Sequence, residues 1–410
     1  MIPTYSFTAE EIKFLLSQRT IAEKRLLGNV RKLESFPQEV LLAGAYYPGI
    51  WLEHNQDNEF LTEYNPEAAW ASQELFINKQ REDGLLPFCF WAEDPWRICT
   101  GQIQCVRSFV RCALNIAQQT QRPEYDFWQI YNAGCRYEAW LRTNRNRAGT
   151  GLVEMYCEYD TGHDHNPRVT DGDIPCSCPE DDAGNMPKLN CMPILSVDLS
   201  AMSYDNRLAL AELADTLGKP SEASLWRSRA AELKEAIQRL LYDPKDDFYY
   251  DRGPQGFRRY RTEHLTRLFL NGVTDQDEFD RLYEKWMDDP NEFRTAYPYP
   301  AVSISDKHFN WDFPPNCWGS NSQALTAVRA LIWLRRFGRE KERRNLLMCH
   351  LRSALDNGIT FPQELNPFTG VPIGNGRDYT PAIILFLEGL KELKKEKDDR
   401  AAVNCVVEPD

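Results

Sequence analysis

Apolar positions along this chain recur mostly at helical spacing. Within Tyr204–Leu217, a predicted helix, Leu210, Leu213, Ala214 and Leu217 stand at i, i+3, i+4 and i+7, and the run stops at Gly218. Trp226, Ala230, Leu233, Ile237 and Leu240 mark one face of the next segment, about 221–241. Thr8 followed by Glu11 forms a capping box that opens a first helix, through about residue 34. The same spacing predicts helices over about 66–80, 101–120, 124–143, 263–271, 275–288, 320–337 and 340–356. Thr380-Pro381 opens a last helix, to about 396. The stretch of about 147–195 is rich in Gly, Pro, Asp and Asn and reads as loop. Period-two alternation is scarce.

Two kinds of helix alternate. Ala324–Leu334 (ALTAVRALIWL) is apolar almost all round, whereas Arg339–Leu355 is charged on one side. The first kind is buried on every face and the second covers it. The pattern recurs between 101–120 and 124–143, which predicts an all-α double ring of antiparallel helices, an (α/α)6 toroid with long loops at one end. No linker interrupts it, so residues 1–395 read as one domain. The charged segment 396–410 reads as a loose tail.

Lys plus Arg number 48 and Asp plus Glu 61, a net charge of −13, which repels phosphate and argues against nucleic acid or an anionic membrane as partner. No run of about 18 apolar residues occurs, and MIPTYSFTAEEIKFLL lacks the pattern of a secretory signal, so a cytoplasmic location is expected. Most of the twelve cysteines stand singly in helical segments. Cys176, Cys178 and Cys191 share one loop, but their spacing departs from paired CxxC ligands, and no metal is expected there. Gly374-Asn375-Gly376 is too short for a dinucleotide loop, so no cofactor is expected.

The 11 Trp, 18 Tyr and 20 Phe change the picture, because rings in loops suit a site that stacks on sugar faces. They gather with carboxylates and amides in AYYPGIWLEHN (45–55), QREDGLLPFCFWAEDPW (80–96), EMYCEYDTGHDHNPR (154–168), FNWDFPPNCWGSN (309–321) and FPQELNPFTGVPIGNGRDY (361–379). Glycosidic cleavage needs two carboxyl groups flanking the bond, one protonated and one ionised. Asp164 and Glu364 lie in two of these loops. On the residues alone, Asp164 reads equally as a turn residue and Glu364 as a solvated carboxylate. Arg81 and Asp83 read as an ion pair closing their loop or as sugar ligands, and the tryptophans as core fillers or platforms.

GLVEMYCEYDTGHDHNPR (151–168) resembles the general-acid loop of the (α/α)6 inverting α-glycosidases, glycoside hydrolase family 63-like enzymes. These comprise processing α-glucosidase and the mannosylglycerate and glucosylglycerate hydrolases, with trehalase more distant. Glu364 in QELNPFTGVPIG is similar to their base segment, and QREDGLLP (80–87), VDLSA (197–201) and NWDFPPNCW (310–318) are similar to further segments in the same order. The resemblance spans roughly residues 43–390. It departs at Trp51-Leu52-Glu53-His54, where the family has a Trp-Asp pair, and at Trp311-Asp312-Phe313-Pro314, which replaces W-R-G-P.

The resemblance implies a glycoside hydrolase that releases a terminal α-linked glucose or mannose from a small carbohydrate substrate by single displacement. Asp164 is then the acid and Glu364 the base, about 6.5–9.5 Å apart. Glu158 and Asp160 are the expected neighbours that raise the Asp164 pKa. Expected to contact substrate are Tyr46, Trp51, Glu53, His54, Arg81, Asp83, Trp91, Gln104, His163, Arg168, Trp311, Asp312 and Trp318. Trehalase-like hydrolysis of a disaccharide is one alternative. Another is an aldose–ketose isomerase or 2-epimerase, which needs His163, His165, His308 or His350 to face one another; a third is a sugar-binding protein without activity.

Overall fold

The computed structural model describes residues 5–374 and 377–406, with side chains through Lys395. In chain order its helices are α1 (Ala9–Ser17), α2 (Arg19–Gly28), α3 (Asp57–Leu61), α4 (Pro66–Asn78), α5 (Phe109–Gln119), α6 (Glu124–Asn144) and α7 (Pro167–Thr170). There follow α8 (Val197–Thr216), α9 (Pro220–Leu241), α10 (Leu265–Leu270), α11 (Gln276–Leu282), α12 (Ala324–Arg336), α13 (Glu340–Asp356) and α14 (Thr380–Val406).

Six of these close a cycle. α3 packs on α5, α5 on α8, α8 on α10, α10 on α12, α12 on α14, and α14 returns to α3. Burial explains the choice: every residue of α10 is buried, and α8 and α12 keep almost no solvent face. The amphipathic helices lie outside. α4 covers α3 and α5, α6 covers α5 and α8, α9 covers α8, and α13 covers α12 and α14. α11 is held by its Phe279, 4.8 Å from Phe269 of α10 and stacked at 3.9 Å on Phe337 at the end of α12. The architecture is therefore the expected all-α toroid.

Chain reversal decides where the site lies. Links from an inner helix to the next outer one are short: 120–123 after α5, 217–219 after α8 and 337–339 after α12. Each return to the ring is long, so the long loops converge at the N-terminal end of the inner helices. Strands of two or three residues pin them. Glu364–Leu365 is the central strand between Ser322–Gln323 and Pro372–Ile373, with Gln323 opposite Glu364. Gly49–Trp51 pairs with Cys89–Trp91.

Several expected boundaries move for local reasons. The helix expected over 8–34 breaks at Gln18 and ends at Asn29, after which Val30–Lys32 pairs with Glu39–Leu41. That expected from 101 begins at Phe109, where the Ser108 hydroxyl accepts from the Arg111 amide. Residues 101–108 before it form no regular element, and Gln104 adopts a left-handed φ of 41°. That expected from 204 begins at Val197, because VDLSAMS is buried on all sides and shows no polar period. That expected from 320 begins at Ala324, residues 322–323 having joined the strand beside Glu364. The backbone of α14 continues past 396 to Val406; residues 407–410 and the Asn375-Gly376 pair of the glycine loop lie outside the described residues. Among the described residues, no helix is long and apolar enough to cross a membrane.

Candidate active site

Glu364 is buried and its carboxylate is fully engaged. Oε2 accepts from the Asn316 amide at 2.8 Å, and Oε1 accepts from the Cys317 amide at 3.0 Å and from Gln323 Nε2 at 2.7 Å. The strand register that sets Gln323 opposite Glu364 delivers the third donor. Burial holds the Glu364 pKa above the ordinary carboxylate value, and these donors offset that rise only in part.

Asp164 stands in the opposite condition. Among the described residues no side chain donates to its carboxyl. Burial, followed by the charges of Glu53, Glu158 and Glu364, holds its pKa well above the usual carboxylate range. Its own loop is anchored firmly. The Trp318 amide donates to the Asp164 carbonyl at 2.9 Å, and Asn166 Nδ2 donates to the Trp318 carbonyl at 2.6 Å. Glu158 Oε1 accepts from the His165 amide at 2.5 Å. Asp160, the other expected neighbour, is committed elsewhere: Arg145 and the Ile103, Tyr156 and Cys157 amides bind it.

A pocket of about 80 Å³ opens between the loops, lined by Asp164 and by Trp51, Glu53, His54, Gln104 and Trp318. Tyr47, Asn316, Gln363 and Tyr379 also line it. Trp51 meets Trp91 edge-to-face at 4.7 Å across the short strand pair. Burial and then the charges of Glu364 and Asp164 push the Tyr47 hydroxyl up to about 12, which places it in the field of both carboxyls. His54 Nδ1 bonds Asp57 at 2.8 Å, and its Nε2 lies 3.2 Å from the Tyr379 hydroxyl.

Glu53 replaces the aspartate expected of the first loop, and the structure shows what holds it. Gln104 Nε2 donates to Oε2 at 2.7 Å and Arg329 Nη2 lies 3.3 Å from Oε1. The carboxylate packs over Gly162, where a Cβ would sit 2.3 Å from Glu53 Oε2 and the φ is 66°. Only glycine fits there. Thr161-Gly162-His163-Asp164 therefore carries its glycine so that a carboxylate can approach two residues before Asp164.

Beneath the pocket lies a buried ionic lattice. Arg168 binds Asp198 and Asp251, each at 2.8 Å, and Arg267 binds Asp198 at 2.8 Å and Glu263 at 2.9 Å. Arg168 Nη2 donates to His163 Nδ1 at 3.0 Å, so His163 carries its proton on Nε2 and donates to Glu263 at 2.6 Å. Burial first and the nearby guanidiniums next keep this imidazole neutral. Its ring lies 4.9 Å from that of Trp318.

The expected contact residues thus divide. Trp51, Glu53, His54, Gln104 and Trp318 line the pocket and Trp91 backs it. His163 and Arg168 lie beneath it. Arg81 pairs with Asp83 and Asp182, each at 2.6 Å, as a loop closure outside the pocket lining. Tyr46, Trp311 and Asp312 are exposed outside the lining. Tyr47, Tyr379, Asn316, Gln363 and Gln323 were missed, although all but Gln323 sit in the five loops singled out by composition. The histidines of an isomerase do not converge. His350 is half-buried, its pKa pushed down by desolvation to about 4, and His308 pairs with Asp306 at 2.8 Å.

The loop thiols do not meet either. Cys178 lies beside Cys157, Cys176 reaches Glu158, and Cys191 faces the Gly172 carbonyl. Cys157, Asp160 and Cys178 bring three ligand atoms within 4.8 Å of one another, but the Arg145 guanidinium already fills the position of the cation, 2.9 Å from Asp160 Oδ1 and 3.5 Å from Cys178 Sγ. A larger groove, about 710 Å³, runs along α6 and α9 on the outer wall. Neither Asp164 nor Glu364 lines it; Asp164 lines the smaller pocket, and Glu364 lies behind its Asn316 and Gln363 wall.

Residues 57–380 match the family described as "Mannosylglycerate hydrolase MGH1-like glycoside hydrolase domain". In structure the chain is similar to a mannosylglycerate hydrolase from Thermus thermophilus in complex with glucose (TM-score 0.69, 18% identity, 90% of this chain and 98% of that one). It is also similar to a neutral trehalase from Saccharomyces cerevisiae (TM-score 0.66, 13% identity, 95% and 82%). A Bombyx mori trehalase is 26% identical over 156 residues, 36% of this chain. The matched region covers only 24% and 26% of the length of two curated relatives.

Proposed function

The chain belongs to the mannosylglycerate hydrolase MGH1-like glycoside hydrolase family, and from that premise we propose that it hydrolyses a terminal α-linked glucose or mannose from a small glycoside, with inversion. Asp164 donates its proton to the glycosidic oxygen as the bond to the anomeric carbon breaks. Glu364 takes a proton from the water whose oxygen attacks that carbon from the opposite face. Solvent exchange then restores both groups. The Thermus enzyme has been solved with glucose, and with Tris and D-glycerate. That supports a hexose in the pocket here.

One observation carries the reading: the two carboxyls are prepared for opposite protonation states. Among the described residues no side chain donates to Asp164, which feels three other carboxylates and so keeps its proton. Glu364 receives three N–H groups aimed at its oxygens, which suits an anion that must accept one. Trp51, Trp318, Tyr47 and Tyr379 supply the aromatic walls. We assign the enzyme to the cytoplasm because the cysteines among the described residues are free thiols, as a reducing compartment keeps them, and residues 1–395 to one catalytic domain. Incubation with α-linked disaccharides and glycosyl-glycerates tests the reading: release of free hexose supports it. Interconversion of free mannose, glucose and fructose without hydrolysis contradicts it.

A further inference from the structure

The loop that supplies Glu364 with its amide donors also carries an apolar shelf that faces water. Trp311 is 62% exposed and Phe368 38% exposed, and their rings are parallel within 6° at 5.7 Å. Phe309 lies 4.7 Å from Trp311 and Phe313 lies 6.2 Å from Phe368, so four rings from two loops form one cluster. Both loops belong to the site. Phe313 precedes Asn316 of the pocket wall by three residues, and Phe368 follows Glu364 by four. Phe313 holds a φ of 47° and Asn316 one of 52°, a conformation that costs a bulky residue about 1–3 kcal/mol. Strain of this kind, beside exposed apolar rings, marks a surface kept for contact.

Charge narrows what that contact is. Among the described residues that line the pocket none is lysine or arginine, whereas Glu53 is there and Glu364 adjoins it, and Asp164, holding its proton, adds no positive charge to offset them. The guanidiniums below, Arg168 and Arg267, are bound to Asp198, Asp251 and Glu263, and Arg329 is turned to Glu53. A carboxylate on the leaving group would enter a negative field with no free cation among these residues to meet it.

We propose that the leaving group is a neutral pyranose whose flat apolar face stacks on the Trp311–Phe368 shelf, so that the substrate is a neutral α-linked disaccharide or oligosaccharide end and not a glycosyl-glycerate. This rests on the hydrolase reading above, and the shelf is the binding place for the ring on the far side of the cleaved bond. Trp311 is then a specificity residue that touches the departing sugar and never the ring in the pocket.

The test compares wild type, Trp311→Ala and Phe368→Ala on three probes: neutral α-linked gluco- and manno-disaccharides, the two α-glycosyl-glycerates, and the matching α-glycosyl fluorides. Fluoride ion is too small to reach the shelf. The expected result is a preference for a disaccharide over the glycerates. Either variant then loses about tenfold or more in kcat/KM on the disaccharide, mainly through KM, with fluoride hydrolysis unchanged. A preference for a glycosyl-glycerate overturns the proposal while leaving the hydrolase reading intact. So does an unchanged disaccharide rate in both variants, or an equal loss on the fluoride. Wild-type protein that hydrolyses none of the three, fluorides included, removes the hydrolase reading itself and the proposal with it.

Discussion

Asp164 and Glu364 are held by consecutive amides of one loop: Cys317 N–H donates to the Glu364 carboxylate at 3.0 Å and Trp318 N–H to the Asp164 carbonyl at 2.9 Å. The two bonds differ in kind. One stabilises a charge on the side chain, and the other grips only the backbone and leaves the Asp164 carboxyl free to keep its proton. A single short segment therefore holds both residues while bonding the carboxylate of one and only the backbone of the other.

Asp164→Asn and Glu364→Gln should each lower kcat on a glycoside by about 10²–10⁴-fold or more without unfolding the protein. Burial and neighbouring carboxylates raise the Asp164 pKa, so its charged form costs stability as pH rises from the unfolded carboxylate pKa through the folded one. Asp164→Asn should accordingly melt no lower than wild type at neutral pH. A fall of several degrees would contradict the electrostatic account of this residue.

The pH profile of kcat/KM should be a bell. Its acid limb follows Glu364, which must be ionised, and its alkaline limb follows Asp164, which must stay protonated. On an α-glycosyl fluoride, whose departure needs no proton, Asp164→Asn should retain activity and lose the alkaline limb. Persistence of that limb in the variant would move the acid elsewhere.

Gln323→Leu removes one of the donors that lower the Glu364 pKa. The acid limb should shift upward by about one pH unit, equivalent to ~1.4 kcal/mol. Folding should be little changed, because the leucine fills a similar volume. A downward shift would show that the donor does not act on the carboxylate.

Gly162→Ala forces a Cβ into the Glu53 carboxylate and holds alanine at a left-handed φ. We expect about 1–2 kcal/mol lost in thermal unfolding and a rise in KM as Glu53 leaves Gln104. Unchanged values for both would mean that the Glu53 carboxylate has another resting place.

Much of this was legible in the sequence where the signal is local. Buried helices such as α12 and amphipathic ones such as α13 announce themselves by period, and their alternation is the ring. Helix starts were less legible because caps decide them: Ser108 and Ser196 each fix an N-terminus that hydrophobic spacing misplaces. Asp164 and Glu364 stood out by motif. What surrounds them did not, since Gln323 reaches Glu364 through strand register and Glu53 reaches Gly162 across more than a hundred residues of chain. His163 and Arg168 sit in the same motif as Asp164 yet turn inward, to Glu263 and Asp198, because buried charges need partners that only the fold assembles. Composition pointed to the loops that hold Tyr47, Tyr379 and Asn316, but not to which of their rings and amides face the pocket.

The central claim is the division of labour between a protonated Asp164 and an ionised Glu364 on opposite faces of the bond. Proton NMR of the first-formed hexose, recorded before mutarotation, reads it directly. Release of the β-anomer from an α-linked substrate is the predicted result, since water must attack opposite the leaving oxygen. Release of the α-anomer would contradict it, by requiring a second displacement that this pair of carboxyls is not assigned to perform.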